Sequence, residues 1–399
     1  MSEKETRKDS LKEYCSGCGL CHSVYDAPMY EDEKGFRTAD ITEIDLDFLE
    51  TVCPTGKSNS KKQIEMLSDT LFGSYKKVFL GWSSDADVRR IASSGGVLTE
   101  LCIYMLENKL VDGIIQTKAS LIPIETVCVV SRSRQEVIEC SGSRYSISSP
   151  LYHISDMLAE GEKYAFVGKP CDCSALRQYM EMDRGLKNSI LYLLSFFCAG
   201  QPSKLGNERL LQQLGSNVEK CERLVYRGNG WPGYTKIVNR DGSKSKMTYE
   251  ESWCTILGRD VRKTCKFCMD GIGLMADIAC GDAWYTDKYG KPDFSEHEGR
   301  NIIYARTLEG VKLLNDASKA CRIIIENGEQ YSEIISTIQE SQYLRKATMY
   351  GLIVAMKIFR RSVPPYSLGI LKKFGRHVPV KIKLRRFFGS CKRIVKKQI

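Results

Sequence analysis

Three cysteines spaced by two residues, Cys15-Ser-Gly-Cys18-Gly-Leu-Cys21, and a fourth in Cys53-Pro54, constrain this chain more than any other feature. Two-residue gaps let a short loop curl so that successive thiols face a common centre, and Gly17 and Gly19 let backbone amides come close to it. The pattern fits a 4Fe-4S cluster. In the bacterial run that carries a further Cys-Pro three residues on, that cysteine serves a second cluster. Here the position is Tyr25, which leaves Cys53 as the natural fourth ligand. A structural zinc knuckle with four cysteine ligands is the alternative, since zinc accepts similar spacings.

A length of 399 residues with 42% hydrophobic content allows two or three globular domains. The first ten residues are densely charged and lack the apolar region of a secretory signal. The longest apolar run, around residues 190–200, is about half the ~18 to 20 residues needed to span a bilayer. A cytoplasmic protein is expected. Seventeen cysteines, an odd number held largely in tight clusters, speak for metal ligation rather than disulfides. Cys102, Cys128, Cys140, Cys221, Cys254, Cys321 and Cys391 read as buried or incidental thiols. The net charge of +10 is uneven: residues 341–399 hold sixteen Lys and Arg and no acidic residue, so the first 340 residues carry about −6.

Periodicity predicts an α/β fold, α+β overall, in four parts: a small ferredoxin-like 4Fe-4S domain over residues 1–65, two parts of an α/β domain over 66–160 and 161–340, and a basic helical tail over 341–399. In the first part a hairpin over 30–39 turns at Gly35, a helix runs from about 43 to 53, and residues 57–62 read as a polar linker. A strand at 77–81 precedes Ser93-Ser94-Gly95-Gly96, which opens a helix marked by Val97, Leu98, Leu101, Tyr104 and Met105; residues 110–117 read as a buried strand. A Ser-Ser-Gly-Gly turn at a helix N-terminus suits a phosphate, or is an ordinary Ser cap with a tight turn.

Residues 163–168 and 189–197 read as strands joined by a helix over 175–182. Parallel strands joined in this way present their carboxyl ends at one sheet edge, where α/β proteins bind ligands. Cys171 and Cys198 follow those ends, and with Cys265-Lys-Phe-Cys268 they make a second four-thiol candidate, Cys173 and Cys280 being substitutes. The C-x-x-C pair could instead be a redox dithiol or half a zinc site. Residues 301–305 read as a strand and 309–319 as a helix.

Together these motifs resemble the coenzyme F420 hydrogenase/dehydrogenase beta-subunit family, which also takes in a plant chlorophyll-pathway reductase and bacterial proteins of polysaccharide gene clusters. The resemblance spans roughly residues 10–320. Its pieces are the two N-terminal cysteine motifs, Ser94-Gly95-Gly96, Ser143-Arg144-Tyr145, Gly168-Lys-Pro-Cys171, Phe197-Cys198, Cys265-x-x-Cys268-x-Asp270 and the run from Ala276 to Trp284. Each piece is weak alone; their order is specific.

The resemblance implies an FAD-containing oxidoreductase with two 4Fe-4S clusters. It would draw electrons from ferredoxin or a redox partner subunit and deliver them to coenzyme F420 or another hydride acceptor. It puts Ser94, Gly95, Gly96, Ser143, Arg144 and Tyr145 at the flavin, in a flavin domain over 66–340, and Cys171, Cys198, Cys265 and Cys268 on a nearby cluster. Clusters pass single electrons and a hydride acceptor takes two, so a flavin belongs between them. The chain departs from the family in Lys169-Pro-Cys-Asp172-Cys, where a Thr-Pro-Cys-Gln type sequence is expected, and in Cys280, where a small polar residue is usual. The nickel-bearing subunit of a hydrogenase needs C-x-x-C pairs near both chain ends, and this chain lacks the C-terminal pair, so hydrogen activation is not expected. No catalytic acid is named; His22 and His153 stand in no motif that demands a proton carrier. The rival readings are a non-catalytic electron-transfer subunit of a larger complex and a zinc-stabilised binding protein.

In the tail, a helical pattern runs from about residue 331 to 361, and Pro364-Pro365 stops it. Cations then interleave with Phe, Leu and Ile over 370–388, which suits peripheral contact with an anionic membrane or an acidic partner such as ferredoxin. A solvated extension is the plain alternative, and nucleic acid is not expected without a recognised nucleic-acid fold.

Overall fold

Continuous apolar runs without polar alternation become the middle of one large sheet, both of whose faces are covered. The computed structural model describes residues 3–288 and 291–396. Its strands are Met29–Glu31 (β1), Arg37–Ala39 (β2), Lys77–Ser83 (β3), Gly113–Ala119 (β4), Thr126–Ser131 (β5), Tyr164–Gly168 (β6), Ile190–Phe196 (β7), Cys221–Val225 (β8), Thr235–Asn239 (β9), Lys244–Met247 (β10), Ile278–Asp282 (β11), Asn301–Ala305 (β12) and Ile323–Asn327 (β13). β1 and β2 form a hairpin, β8 to β10 a three-stranded antiparallel sheet, and the remaining eight a mixed sheet in the order β13-β3-β12-β11-β7-β6-β4-β5.

Within the large sheet β4, β6, β7 and β11 run parallel, and β12 is antiparallel to both of its neighbours. β3 therefore points the same way as β11. The C-terminal ends of β3, β11, β7 and β6 all reach one edge, and the crossover from β6 to β7 through the Pro170–Met182 helix is the strand–helix–strand unit expected from the sequence.

One face of the sheet is covered by the helices Val97–Glu107 and Leu308–Lys319, whose Leu101, Met105, Leu313 and Leu314 pack with Ile114, Ile278 and Ile303. Elsewhere Leu20, Phe48 and Leu49 from the first 65 residues share a core with Leu151, Phe166 and Leu176. A third cluster joins Tyr14, Ile64 and Phe267 to Ile353, Met356, Leu371 and Ile394 of the basic tail. At about 0.8 kcal/mol per buried CH2, these tail side chains hold it firmly to the body.

The hairpin turning at Gly35, the helix Leu46–Val52 and the strands and helix about Cys171 and Cys198 lie where the sequence puts them. Two expectations are corrected. Residues 57–62 are no linker but the first turns of a helix, Lys57–Met66. Three of its polar residues, Asn59, Ser60 and Gln63, are buried with partners: Asn59 donates to the Val52 carbonyl at 2.9 Å and Gln63 to that of Pro54 at 3.1 Å. The pattern over 331–361 is broken into the helices Glu329–Ile338, Glu340–Ala347 and Met349–Ile358, and the tail that follows is packed rather than a solvated extension. Among the described residues no helix is long and apolar enough to cross a membrane.

Candidate functional site

The first thiol loop is shaped by its glycines. Gly17 has φ +72° and Gly19 +95°, the latter standing at the N-terminus of the helix Leu20–Tyr25, so both occupy the left-handed region that a side chain resists. The Gly17 amide points at the Cys15 Sγ, 3.3 Å away. Cys53 arrives from the other side as the residue that ends the Leu46–Val52 helix, whose start is capped by the Asp45 carboxylate accepting from the Phe48 amide. The four thiols are electrostatic neighbours. Burial, then Cys53, Cys18 and Cys15, push the Cys21 thiol up; burial, then Cys15 and Cys18, do the same to Cys53. Cys18 is pushed up to about 11, chiefly by burial and then by Asp172.

The second set is assembled from three elements. Cys171 lies in the first turn of the Pro170–Met182 helix, Cys198 just beyond β7, and Cys265 and Cys268 in and just after the short helix Lys263–Lys266. All four line one cavity of about 50 Å³. All four are half-buried. Burial and then Cys265 push Cys198 up to about 12, and burial with Asp172 raises Cys171 well above the ordinary thiol range. The Gln201 amide points at the Cys265 Sγ at 3.4 Å.

Four crowded thiols cannot all ionise without positive charge among them, and a ligated metal supplies it. Among the described residues no three His, Cys, Asp or Glu side chains stand close enough to share one ion. The second set instead rings a space. Thiol donors around a cavity, with backbone N–H groups aimed at sulfur, fit a polyatomic iron–sulfur cluster.

The substitutes considered from the sequence lie elsewhere. The Cys173 thiol faces the Gly168 and Leu194 carbonyls at 3.7 and 3.5 Å, and Cys280 is buried in the core beneath the Val97–Glu107 helix. The two departures in the Lys-Pro-Cys-Asp segment meet each other: the Lys169 ammonium pairs with the buried Asp172 carboxylate at 2.8 Å and donates to the Ser148 hydroxyl at 2.7 Å.

The two thiol sets adjoin, because Ser16, Pro54 and Thr55 from the first contribute to the cavity wall of the second. Between them stands Arg262, only 4% exposed, a residue that no sequence motif singles out. Its guanidinium donates to the Cys15 carbonyl at 3.2 Å, the Arg37 carbonyl at 2.9 Å and the Gln201 side chain at 3.1 Å.

The serine–glycine turn follows β3 at the same sheet edge. Gly96, at φ +77°, begins the Val97–Glu107 helix, the Ser94 hydroxyl donates to the Arg300 carbonyl at 3.0 Å, and Gly95 lies against Gly81 and Asn301 so closely that a Cβ would stand 2.8 and 2.7 Å from their oxygens. The Ser143 amide donates to the Ser93 hydroxyl, which brings the Ser143-Arg144-Tyr145 segment alongside. Tyr145 packs on Trp253. Arg144 turns away, donating to the carbonyls of Leu224 at 3.1 Å and Pro123 at 2.6 Å.

Sequence reasoning also passed over the run Arg227-Gly-Asn-Gly-Trp-Pro-Gly233, although three glycines about a Trp-Pro pair mark a built loop. Arg227 is buried and makes a two-pronged pair with Asp282 at 3.0 and 3.1 Å, and the Trp231 indole N–H donates to the same carboxylate at 2.8 Å. Trp231 stacks on Trp284 at 4.7 Å.

Comparison with known proteins covers the part of the chain from β3 to the Glu329–Ile338 helix. Residues 161–331 match the family model for the C terminus of the coenzyme F420 hydrogenase/dehydrogenase beta subunit, and residues 78–155 match the model for its N-terminal part. The chain is 24% identical over 302 residues to coenzyme F420 hydrogenase subunit beta of Methanococcus voltae, covering 73% of this chain and 99% of that one. It is 25% identical over 275 residues to the chloroplastic 7-hydroxymethyl chlorophyll a reductase of Oryza sativa subsp. japonica, covering 68% of this chain and 54% of that one. The fold matches a chain of the F420-reducing NiFe hydrogenase complex from Methanosarcina barkeri with a TM-score of 0.56 at 18% identity, over 76% of this chain and all of that one. The chain belongs to the coenzyme F420 hydrogenase/dehydrogenase beta-subunit family.

Proposed function

We propose that this chain is an iron–sulfur flavoprotein oxidoreductase. It takes electrons from ferredoxin or a redox partner subunit through two 4Fe-4S clusters and FAD to coenzyme F420 or another hydride-accepting organic substrate. The observation that carries this reading is the ring of Cys171, Cys198, Cys265 and Cys268 about one cavity, with the loops of Cys15 and Cys53 in its wall. When bound, the clusters supply one-electron transfer and the flavin couples it to two-electron chemistry.

The chain's own residues have defined tasks. Cys15, Cys18, Cys21 and Cys53 hold the outer cluster, in a ferredoxin-like unit over residues 1–65, and the other four thiols hold the inner one. Amide groups such as those of Gly17 and Gln201 stabilise negative charge on sulfur. The turn Ser94-Gly95-Gly96 offers its amides to a flavin phosphate at the start of the Val97–Glu107 helix, with Ser143 and Tyr145 at its side. Arg144 serves this site from behind, by bracing the segment on backbone carbonyls.

Anaerobically purified protein should be brown, with about eight irons and one FAD per chain. Colourless protein containing zinc would overturn the reading. A second reading, an electron-transfer subunit inactive without its partner, is favoured by the relatives named as hydrogenase beta subunits. Oxidation of reduced F420 by the isolated chain would exclude it.

The tail is proposed to meet an anionic membrane or an acidic partner at the inner side of the cell. Its last helix, Val380–Val395, exposes Val380, Leu384 and Phe388 beside Lys381 and Arg385. The double variant Leu384→Glu and Phe388→Glu tests this by co-sedimentation with anionic vesicles, without removing the packed Leu371 and Ile394 as truncation would.

A further inference from the structure

The matched family models end at residue 331, yet the cavity ringed by Cys171, Cys198, Cys265 and Cys268 is not closed by residues before that point. Part of its wall is Arg345, from the Glu340–Ala347 helix, and Tyr366, from the segment after Pro364-Pro365. Arg345 donates to the Cys198 carbonyl at 3.2 Å and to that of Ala199 at 3.4 Å, and Gln342, one turn earlier, donates to the same Cys198 carbonyl at 3.0 Å. Gly271 makes room for it: a Cβ there would overlap the guanidinium, at 1.8 Å. Tyr366 is held by its hydroxyl donating to the Phe267 carbonyl at 3.0 Å, between Cys265 and Cys268.

We infer that the segment beyond residue 331 is an integral cover of the second thiol site, in which Arg345 positions Cys198 and raises the reduction potential of the group the four thiols hold, while Tyr366 screens it from solvent. The inference rests on the iron–sulfur reading of that site. A fixed positive charge beside a cluster favours the more reduced, more negative state. Among the described residues Arg345 makes no ion pair; its guanidinium donates to the carbonyls of Cys198 and Ala199 and to the Gln342 side chain, and it shares the cavity wall with the Asp270 carboxylate.

The test is a redox titration of the full-length protein, followed by visible absorption and electron paramagnetic resonance. Arg345→Gln should lower one of two cluster potentials by about 59 mV or more, the one-electron equivalent of a tenfold change in the reduction equilibrium, and leave the other in place. Arg345→Lys, which keeps the charge, should restore most of the shift, and Arg385→Gln on the exposed helix should move neither. Tyr366→Ala should speed loss of iron in air at least threefold. This second variant reports on the cover even where Arg345→Gln does not fold. If the wild type carries two clusters but Arg345→Gln moves neither potential, or Arg345→Lys falls as far as Arg345→Gln, the inference is wrong and the iron–sulfur reading stands. An iron release rate unchanged in Tyr366→Ala equally refutes the cover. Wild-type protein without iron removes both.

Discussion

Replacing Arg262 by Met tests whether the two thiol sets are one structural unit. The guanidinium is buried, lies over the Phe36 ring at 4.9 Å, and supplies hydrogens to three acceptors on three separate segments: the Cys15 carbonyl, the Arg37 carbonyl and the Gln201 side chain. Met fills a similar volume and donates nothing. Each acceptor stranded in this way costs about 1 to 3 kcal/mol, and the lost cation–π contact about 1 more. Water will reach part of the gap, so a total of about 3 to 5 kcal/mol is expected, a large share of the ~5 to 15 kcal/mol that holds a domain folded. The denaturant midpoint of anaerobically purified protein should fall accordingly at unchanged slope, and iron should drop by about half as the Cys15 loop loses its anchor. Arg262→Lys should recover only part of the loss, since one ammonium cannot span three diverging acceptors. A midpoint for Arg262→Met within about 0.5 kcal/mol of wild type would refute the reasoning, because Arg262 would then be packing material rather than a tie.

Three further outcomes follow from the same geometry. Asp282→Ala leaves Arg227 buried without its carboxylate and should cost about 3 to 5 kcal/mol by denaturant unfolding; a loss under 1 kcal/mol would show that water reaches Arg227. Cys171→Ala should lower iron content by up to half, whereas Cys173→Ala, which removes a core thiol facing two carbonyls, should keep the iron and cost stability alone. Asp260 is held at about 2: burial, the largest influence, raises it, but hydrogen bonds from Arg209, Ser203 and Lys34 outweigh that. A carboxylate depressed in the folded state stabilises fully above its unfolded value near 3.9 and loses that contribution as pH falls through about 2. Asp260→Asn should therefore be less stable than wild type at pH 6, by on the order of 1 kcal/mol after screening, with the gap closing between pH 4 and pH 2.

What the sequence disclosed was local. Cysteine spacing is a property of one loop, and the strand–helix–strand unit about Cys171 is written in apolar runs of a few residues, so both were legible. The ties between segments were not. Arg262 reaches the Cys15 carbonyl across 247 residues of chain, and Arg345 reaches that of Cys198 across 147; no periodicity records such pairs. Polar residues misled for a related reason. Asn59 and Ser60 look like linker composition, but a helix can bury them when their side chains find carbonyls, as both do here. The tail's cations likewise hid its core contacts, because Ile353, Leu371 and Ile394 are spread thinly among them.

The sheet explains why residues so far apart in sequence form a row. β3, β11, β7 and β6 run the same way, so each delivers its following residues to the same edge. Along that edge, the serine–glycine turn follows β3, Asn301 starts β12, Asp282 ends β11, Cys198 follows β7 and Cys171 follows β6, with the Cys15 loop docked against the last two. Neighbouring strands lie about 4.8 Å apart, so β3 and β7 are separated by three steps, about 14 Å. That separation is a consequence of β12 and β11 lying between them. It is therefore fixed by backbone pairing rather than by any side chain at either site, and single substitutions within a site should alter its affinity or potential while leaving the spacing of the row intact.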